Sequence, residues 1–572
     1  MTHVTYPTTI EAINAREWAT FQPFYEELQQ RPLSPDTVRP WLADWSHLQE
    51  LLGEASSVIY VEKTLDTTDA EKEQAYLDLV NNVSPQVKVA EQSLKKRLLA
   101  LNLPDADIAL MLRQLEAEAA LFRDENVPIL TELARLSNEY DKITGGLKTE
   151  WDGQTKNLSQ LGVFLRDPER AVRKRAWHTI MDLWLEEREP LNELYTRMLR
   201  HRHQVAHNAG LPDYRAYIFQ EYGRFDYTPD DCYTFHEAIE SVVVPAAARV
   251  YERQRARLGL PDLRPWDVDV DSYSQQPLKP YQGQEQLFDG SLRVFEQVDE
   301  TLAGYFRIMG EENLLDLETR PGKALGGYCT TFALRKRPFI FMNGVGIHDD
   351  VQTLLHEAGH AFHIFESESL PLIWQREIQV PMEFCEVASM SMELLAAPYL
   401  TKANGSFYNP DELARARIEH LEGILKFLPY MAVVDAFQHW VYTHPEQAAS
   451  ADRCDATWDA LWQRFMPGIN WNGFEDSRVS GWQRKPHIFE APFYYIEYGM
   501  AQVGALQVWR NSLTDPAAAL QAYRQALALG GTQTLPDLFA AAGAEFRFDT
   551  AMLAELVDLI ETTVAELVPL VS

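Results

Sequence analysis

The sequence predicts a mainly α-helical fold with a small β element placed directly before a histidine-bearing helix. Three observations carry that reading. Apolar residues recur at helical spacing over most of the 572-residue chain. One stretch alone, "RPFIFMN", is β-rich and bounded by turn residues. No internal repeat or low-complexity tract interrupts the pattern. A hydrophobic fraction of 46% and a mean hydropathy of −0.30 are ordinary for a globular chain with a sizeable core.

The elements follow in chain order. "SPDTVRPWLADWSHLQELLGEASSVIYVEKTL" reads as a helix with Ser34 as its cap candidate. "AEKEQAYLDLVNNVSPQVKVAEQSLKKRLLALN" continues the pattern and is interrupted at Pro85. With "AEAALFRDENVPILTELARLSNEYDKITGGLKTEW" these make a helical N-terminal region, taken as residues 1–185, followed by a second region over 186–572. "DPERAVRKRAWHTIMDLWLEEREPLNELYTRMLRHRHQVAHNAG" is helical and bridges the two. Residues 260–285 are rich in Pro, Asp and Gln and read as a long loop. From residue 380 onward helical patterns dominate again.

Lys plus Arg number 52 and Asp plus Glu 84, a net charge of −32. A surface this acidic repels nucleic acid and anionic membranes, so neither is expected as a partner. No 18-residue apolar run exists to span a bilayer. The N-terminal stretch lacks a basic segment followed by an apolar one, so no secretory signal is expected. Cys232, Cys329, Cys385 and Cys454 are scattered and form no CxxC pair, as in reduced thiols. These features together predict a cytoplasmic protein.

Chemistry enters at "HDDVQTLLHEAGHAFHIF". Asp349 or Asp350 can cap a helix whose apolar positions are Leu354, Leu355, Ala358, Ala361, Phe362 and Phe365. His356 and His360 then lie one turn apart on one face and can bind one Zn²⁺. Glu357 projects beside them, placed to accept a proton from an attacking water. His363 reads as structural. The metzincin pattern needs Gly at 363 and His at 366, where this chain has His363 and Glu366.

A catalytic zinc needs a third protein ligand, and "PMEFCEVASMSMELL" offers three carboxylates. Pro381 suits a helix start. Glu383, Glu386 and Glu393 then share one face, and spacing does not choose among them. Two imidazoles and one carboxylate leave zinc an open position. Further on, "HIFEAPFYYIEYGMAQVGALQVW" crowds Phe493, Tyr494, Tyr495 and Tyr498 downstream of His487. These are either an aromatic core stripe or neutral donors for an oxyanion.

Taken together, "GGYCTTFALRKRPFIFMNGVGIHDDVQTLLHEAGHAFH", "PMEFCEVASMSMEL" and "HIFEAPFYYIEYGMAQVGAL" resemble the oligoendopeptidase F branch of the thimet oligopeptidase family of zinc metallopeptidases. The likeness extends more diffusely over nearly the whole chain. It implies a bilobed helical fold of the zincin type around a deep channel, with the N-terminal region as one wall and a small sheet beside the zinc helix. It implies one Zn²⁺ per chain held by His356, His360 and Glu386, with Glu383 as runner-up. It implies Glu357 as general base, Tyr498 and His487 as oxyanion donors, and short peptides as substrates of an endopeptidase. "RPFIFMNG" resembles the edge strand on which such enzymes lay substrate backbone, which makes Phe339, Phe341 and Asn343 binding candidates, with Tyr494 and Tyr495. Many members read F-Y-x-Y-x-Y, whereas Ile496 replaces the middle tyrosine here, so the register of Tyr494 and Tyr495 stays open. Two rival readings are a metallocarboxypeptidase and a catalytically silent peptide-binding protein of the same fold.

Overall fold

The long apolar-periodic stretches become long helices in the computed structural model, which describes residues 5–571. The first four residues of the N-terminal stretch read above lie outside the described part. Helix α1 (Val38–Leu65) begins after Thr37, not at Ser34. The Ser34 amide instead donates to Thr37 Oγ1 at 2.9 Å, closing the turn that leads in. At Pro85 the chain stays helical. A single π-helical turn, Leu79–Val83, joins the helices Ala70–Asp78 and Ser84–Leu99. Pro85 falls in the first turn of the latter, and the wider π-helical turn before it accommodates its ring.

Two cores explain the two lobes. Phe21, Trp41, Trp45, Leu94, Leu98 and Leu115 form the core of the N-terminal helices. Trp374 closes it from the catalytic side, its ring centroid 4.7 Å from that of Trp45. Most buried residues from Leu121 to Leu567, joined by Val61 of α1, form a larger core with smaller clusters beside it. The packing therefore divides near residue 120, within the region assigned from sequence to the N-terminal wall.

Five strands occur among the described residues. β1 (Lys148–Trp151) and β2 (Gln154–Asn157) form an antiparallel hairpin absent from the sequence reading. Its signal is Asp152-Gly153, both at positive φ, as a two-residue hairpin turn requires. β3 (Leu315–Glu318), β4 (Tyr328–Phe332) and β5 (Arg337–Gly344) form a second sheet in the order β3-β5-β4. β5 is parallel to β3 and antiparallel to β4.

That order corrects the reading of "RPFIFMNG". β5 is a strand, but the central one, hydrogen-bonded on both sides. Its backbone has no free edge to offer a peptide. Phe339 and Phe341 are buried core residues, and Asn343 donates to the Ala324 and Gly326 carbonyls at 2.8 Å each. The edge-strand argument that made these three residues binding candidates therefore does not hold. β4 pairs with a strand on one side only. Helix α1 reaches it from the N-terminal lobe, with Thr64 Oγ1 2.6 Å from the Tyr328 hydroxyl.

Four further helices position the site: α2 (His348–Glu366), α3 (Met382–Ala396), α4 (Pro410–Thr443) and α5 (Tyr495–Ser512). α2 buries Leu354, Leu355, Ala358, Ala361, Phe362 and Phe365, the stripe expected from its periodicity. At roughly 1.5–3 kcal/mol per large side chain, that stripe fixes which face is left for the histidines.

Candidate active site

The start of α2 is held by Asp350, not Asp349. Asp350 Oδ2 accepts from the amides of Val345, Gly346 and Ile347 at 2.7–2.9 Å and from the Tyr281 hydroxyl at 2.7 Å. Asp349 points outward to Arg166 at 2.5 Å. With the helix start locked, the four-residue spacing places the rings of His356 and His360 edge to face, 4.9 Å between centroids.

α3 crosses α2 at Gly359, midway between the histidines. A Cβ there would lie 2.5 Å from Ser389 Cα and 2.7 Å from the Ala388 carbonyl. The glycine permits a crossing close enough for α3 to deliver a carboxylate. Glu386 Oε2 is 3.2 Å from His356 Nε2 and 3.5 Å from His360 Nε2. One donor atom from each of the three residues lies within 4.8 Å of the others.

The three glutamates of the shared face have three different surroundings. Glu383 turns away, accepting from the Tyr227 hydroxyl at 2.6 Å beside Arg224. Glu386 meets both histidines. Glu393 takes the far side of the first imidazole, accepting from His356 Nδ1 at 2.7 Å and facing His420 Nε2 at 3.0 Å. The sequence offers Glu393 as one of three candidate ligands, not as the partner of His356, and gives no reading of His420 on α4. No local pattern marks either.

Electrostatics separate the carboxyls further. Burial pushes Glu357 up to about 7, the negative charges of Glu386 and Glu393 push the same way, and His356 opposes them. Burial also pushes Glu386 up, but His360, His356 and the Tyr494 hydroxyl outweigh it and hold it at about 2. His363 is buried against Phe384, and burial lowers it to about 3. It is a neutral packing residue.

The aromatic segment wraps the other side. Phe493 adopts φ +65°, an unusual conformation for a bulky residue, and its amide donates to Gln438 Oε1 at 2.7 Å. The turn aims Tyr494 at the cluster, where its hydroxyl donates to Glu386 Oε1 at 2.7 Å. Tyr498 Oη lies 3.4 Å from His487 Nε2. Burial, then Lys485, lowers His487 to about 4, so the ring is neutral. Burial, reinforced by Glu386, raises the Tyr498 hydroxyl and keeps it protonated. Tyr495 turns the other way and accepts from Lys485 at 3.1 Å. Ile496 is fully buried in the core. A cavity of about 560 Å³ adjoins the cluster, with Glu393, His420, His487, Tyr495 and Tyr498 in its walls.

A zinc ion fits this donor set. Two imidazole nitrogens and a carboxylate oxygen converge, yet neither Nε2 makes an aligned hydrogen bond to Glu386. His356 Nδ1 instead donates to Glu393. The fold and the cluster are those of a helical peptidase of the HExxH type. The chain belongs to peptidase family M3, whose model matches residues 163–558. Within that family its relatives place it in the oligoendopeptidase F branch. It is similar to the oligoendopeptidase F homolog of Lactococcus lactis, 23% identical over 60% of this chain and 56% of that protein's length. It is similar to the homolog of Borreliella burgdorferi, 20% identical over 92% of this chain and 89% of the other. Among solved structures, Pz peptidase A with an inhibitor superposes with a TM-score of 0.90 at 28% identity, covering 99% of each chain. A chain described as an oligoendopeptidase F gives the same score and identity over 96% of this chain and 97% of that one.

Proposed function

We propose that the protein is a cytoplasmic zinc endopeptidase that cuts internal bonds of short, unfolded peptides. The observation that carries the reading is the meeting of His356, His360 and Glu386 within 4.8 Å beside a buried Glu357. A zinc ion held by those three residues supplies Lewis-acid chemistry and acidifies a water. Glu357, sitting near neutrality, accepts the proton of the attacking water and returns it to the leaving amine. Tyr498 and His487 donate to the oxyanion that develops on the scissile carbonyl. Tyr494 orients Glu386, and Glu393 orients His356.

The substrate strand pairs with the open edge of β4, which replaces β5 in that role. Backbone pairing supplies affinity with little demand on sequence. The four free cysteines suit a reducing compartment. Among the described residues no helix is long and apolar enough to cross a membrane.

The test compares one cleavable segment in three forms: an internally quenched peptide, a fully reduced denatured protein and the folded protein. Efficient cleavage of the peptide at an internal bond, lost on chelation and restored by zinc, is the expected result. Release of single C-terminal residues would show a carboxypeptidase instead. Zinc binding without turnover would show a silent binding protein. Equal kcat/KM for the peptide and the denatured chain would remove the preference for short substrates.

A further inference from the structure

Behind the turn that aims Tyr494 lies a second convergence of donors that the proposed chemistry does not use. The helix Pro229–Ala238 carries Cys232 and His236, and α4 carries Asp435 and His439. Each pair is four residues apart, so each helix presents both side chains on one face. All four are buried: Cys232 and Asp435 are 0% exposed, His439 1% and His236 3%. One donor atom from each of Cys232, Asp435 and His439 lies within 4.8 Å of the others, and His236 meets this group through Asp435 alone. Asp435 Oδ2 is 2.9 Å from His236 Nε2 and 3.2 Å from His439 Nε2.

Those separations would suit hydrogen bonds, but the directions do not. Both imidazole Nε2 atoms and both Asp435 oxygens lack an aligned hydrogen-bond partner. A buried carboxylate normally gathers donors, because leaving its oxygens bare is costly. The HExxH cluster shows the same signature, with His356 Nε2 and His360 Nε2 3.2 and 3.5 Å from Glu386 Oε2. Two donors each about 2.0–2.1 Å from a tetrahedral zinc are themselves about 3.3 Å apart.

We propose that Cys232, Asp435 and His439 form a second, structural zinc site that clamps the helix Pro229–Ala238 to α4, with His236 packed against the Asp435 carboxylate. The three donors are fully buried and border no substrate cleft, which suits structure rather than catalysis. The charges balance: a divalent cation, one thiolate, one carboxylate and one neutral imidazole sum to zero, as a fully buried site requires. Binding releases the Cys232 thiol proton to solvent. Arg215 Nη1 lies 3.3 Å from His439 Nδ1 and 3.0 Å from the Tyr233 hydroxyl. A zinc-bound His439 carries its proton on Nδ1, so Arg215 gives up the first contact and keeps the second. The clamp backs directly onto the aromatic turn. The Phe493 ring is 5.0 Å from that of His439, and the Phe493 amide is held by the adjacent Gln438. With the HExxH site, the chain then holds two zinc ions.

The test is elemental analysis of the whole protein after zinc-replete expression and dialysis. Wild type should hold two equivalents, and His356→Ala/His360→Ala should retain one. Asp435→Asn, which keeps the side chain's size, should also fall to one. The cobalt(II)-substituted wild type should show a near-ultraviolet thiolate-to-metal charge-transfer band. The band should survive His356→Ala/His360→Ala and vanish in Cys232→Ser. A single equivalent in wild type that is lost with His356→Ala/His360→Ala would overturn the proposal. So would a cobalt band that persists in Cys232→Ser, because it would arise from Cys329 or Cys385. If Cys232→Ser does not fold, the metal content and cobalt spectrum of His356→Ala/His360→Ala decide alone.

Discussion

Replacing Glu393 by Gln keeps the side-chain shape and removes only its charge. In the structure one oxygen accepts from His356 Nδ1 at 2.7 Å while the other faces His420 at 3.0 Å. A glutamine can still accept from one imidazole, but its amide nitrogen then confronts the other. A hydrogen bond to an ionised, largely buried acceptor contributes about 1.5–3 kcal/mol. At about 1.4 kcal/mol per decade, zinc should bind roughly 10- to 100-fold more weakly, the range typical when a ligand's hydrogen-bond partner is lost. The assay is competition for zinc against a chromophoric chelator at fixed pH, followed by kcat measured at saturating zinc. The affinity should fall while kcat at saturation falls much less, since Glu393 acts through His356 rather than on substrate. An unchanged zinc affinity would refute the argument that this carboxylate orients the imidazole.

Other substitutions probe the remaining roles. Glu357→Gln should keep its zinc and lose at least about 100-fold in kcat; near-normal turnover removes it as the base. Tyr498→Phe should lower kcat about 100- to 1000-fold with KM little changed, whereas Tyr494→Phe should loosen zinc through Glu386; the opposite pattern would swap the two assignments. Gly359→Ala, whose Cβ would meet Ser389 Cα at 2.5 Å, should destabilise the fold by roughly 1–3 kcal/mol, seen as a lower Tm. Burial, with Glu118 adding and Lys88 opposing, raises Glu221 to about 7. A folded-state pKa above the unfolded one means stability is full below about 4.5 and lost as pH rises toward 7, so Glu221→Gln should flatten that decline in a denaturant midpoint measured across this window. A parallel decline in the variant would place the titrating group elsewhere.

Much of this protein is legible locally. A four-residue spacing on a helix with a clear apolar stripe determines that His356 and His360 share a face, because helix geometry alone sets it. The β character of Arg337–Gly344 is likewise local. So is the Asp152-Gly153 hairpin, whose turn signal stood in the sequence unread. Three decisions needed the tertiary structure. Glu383, Glu386 and Glu393 are equivalent on one helix face, and only the close crossing at Gly359 determines which of them meets both imidazoles of His356 and His360. β5 reads as a buried strand, but whether it is central or at the edge depends on β3 and β4 pairing with it from elsewhere in the chain. Cys232 and His236 become partners of Asp435 and His439 only because two helices about 200 residues apart in sequence pack together. Periodicity records which face of an element is buried; which element it is buried against depends on long-range packing, and no local spacing carries that information.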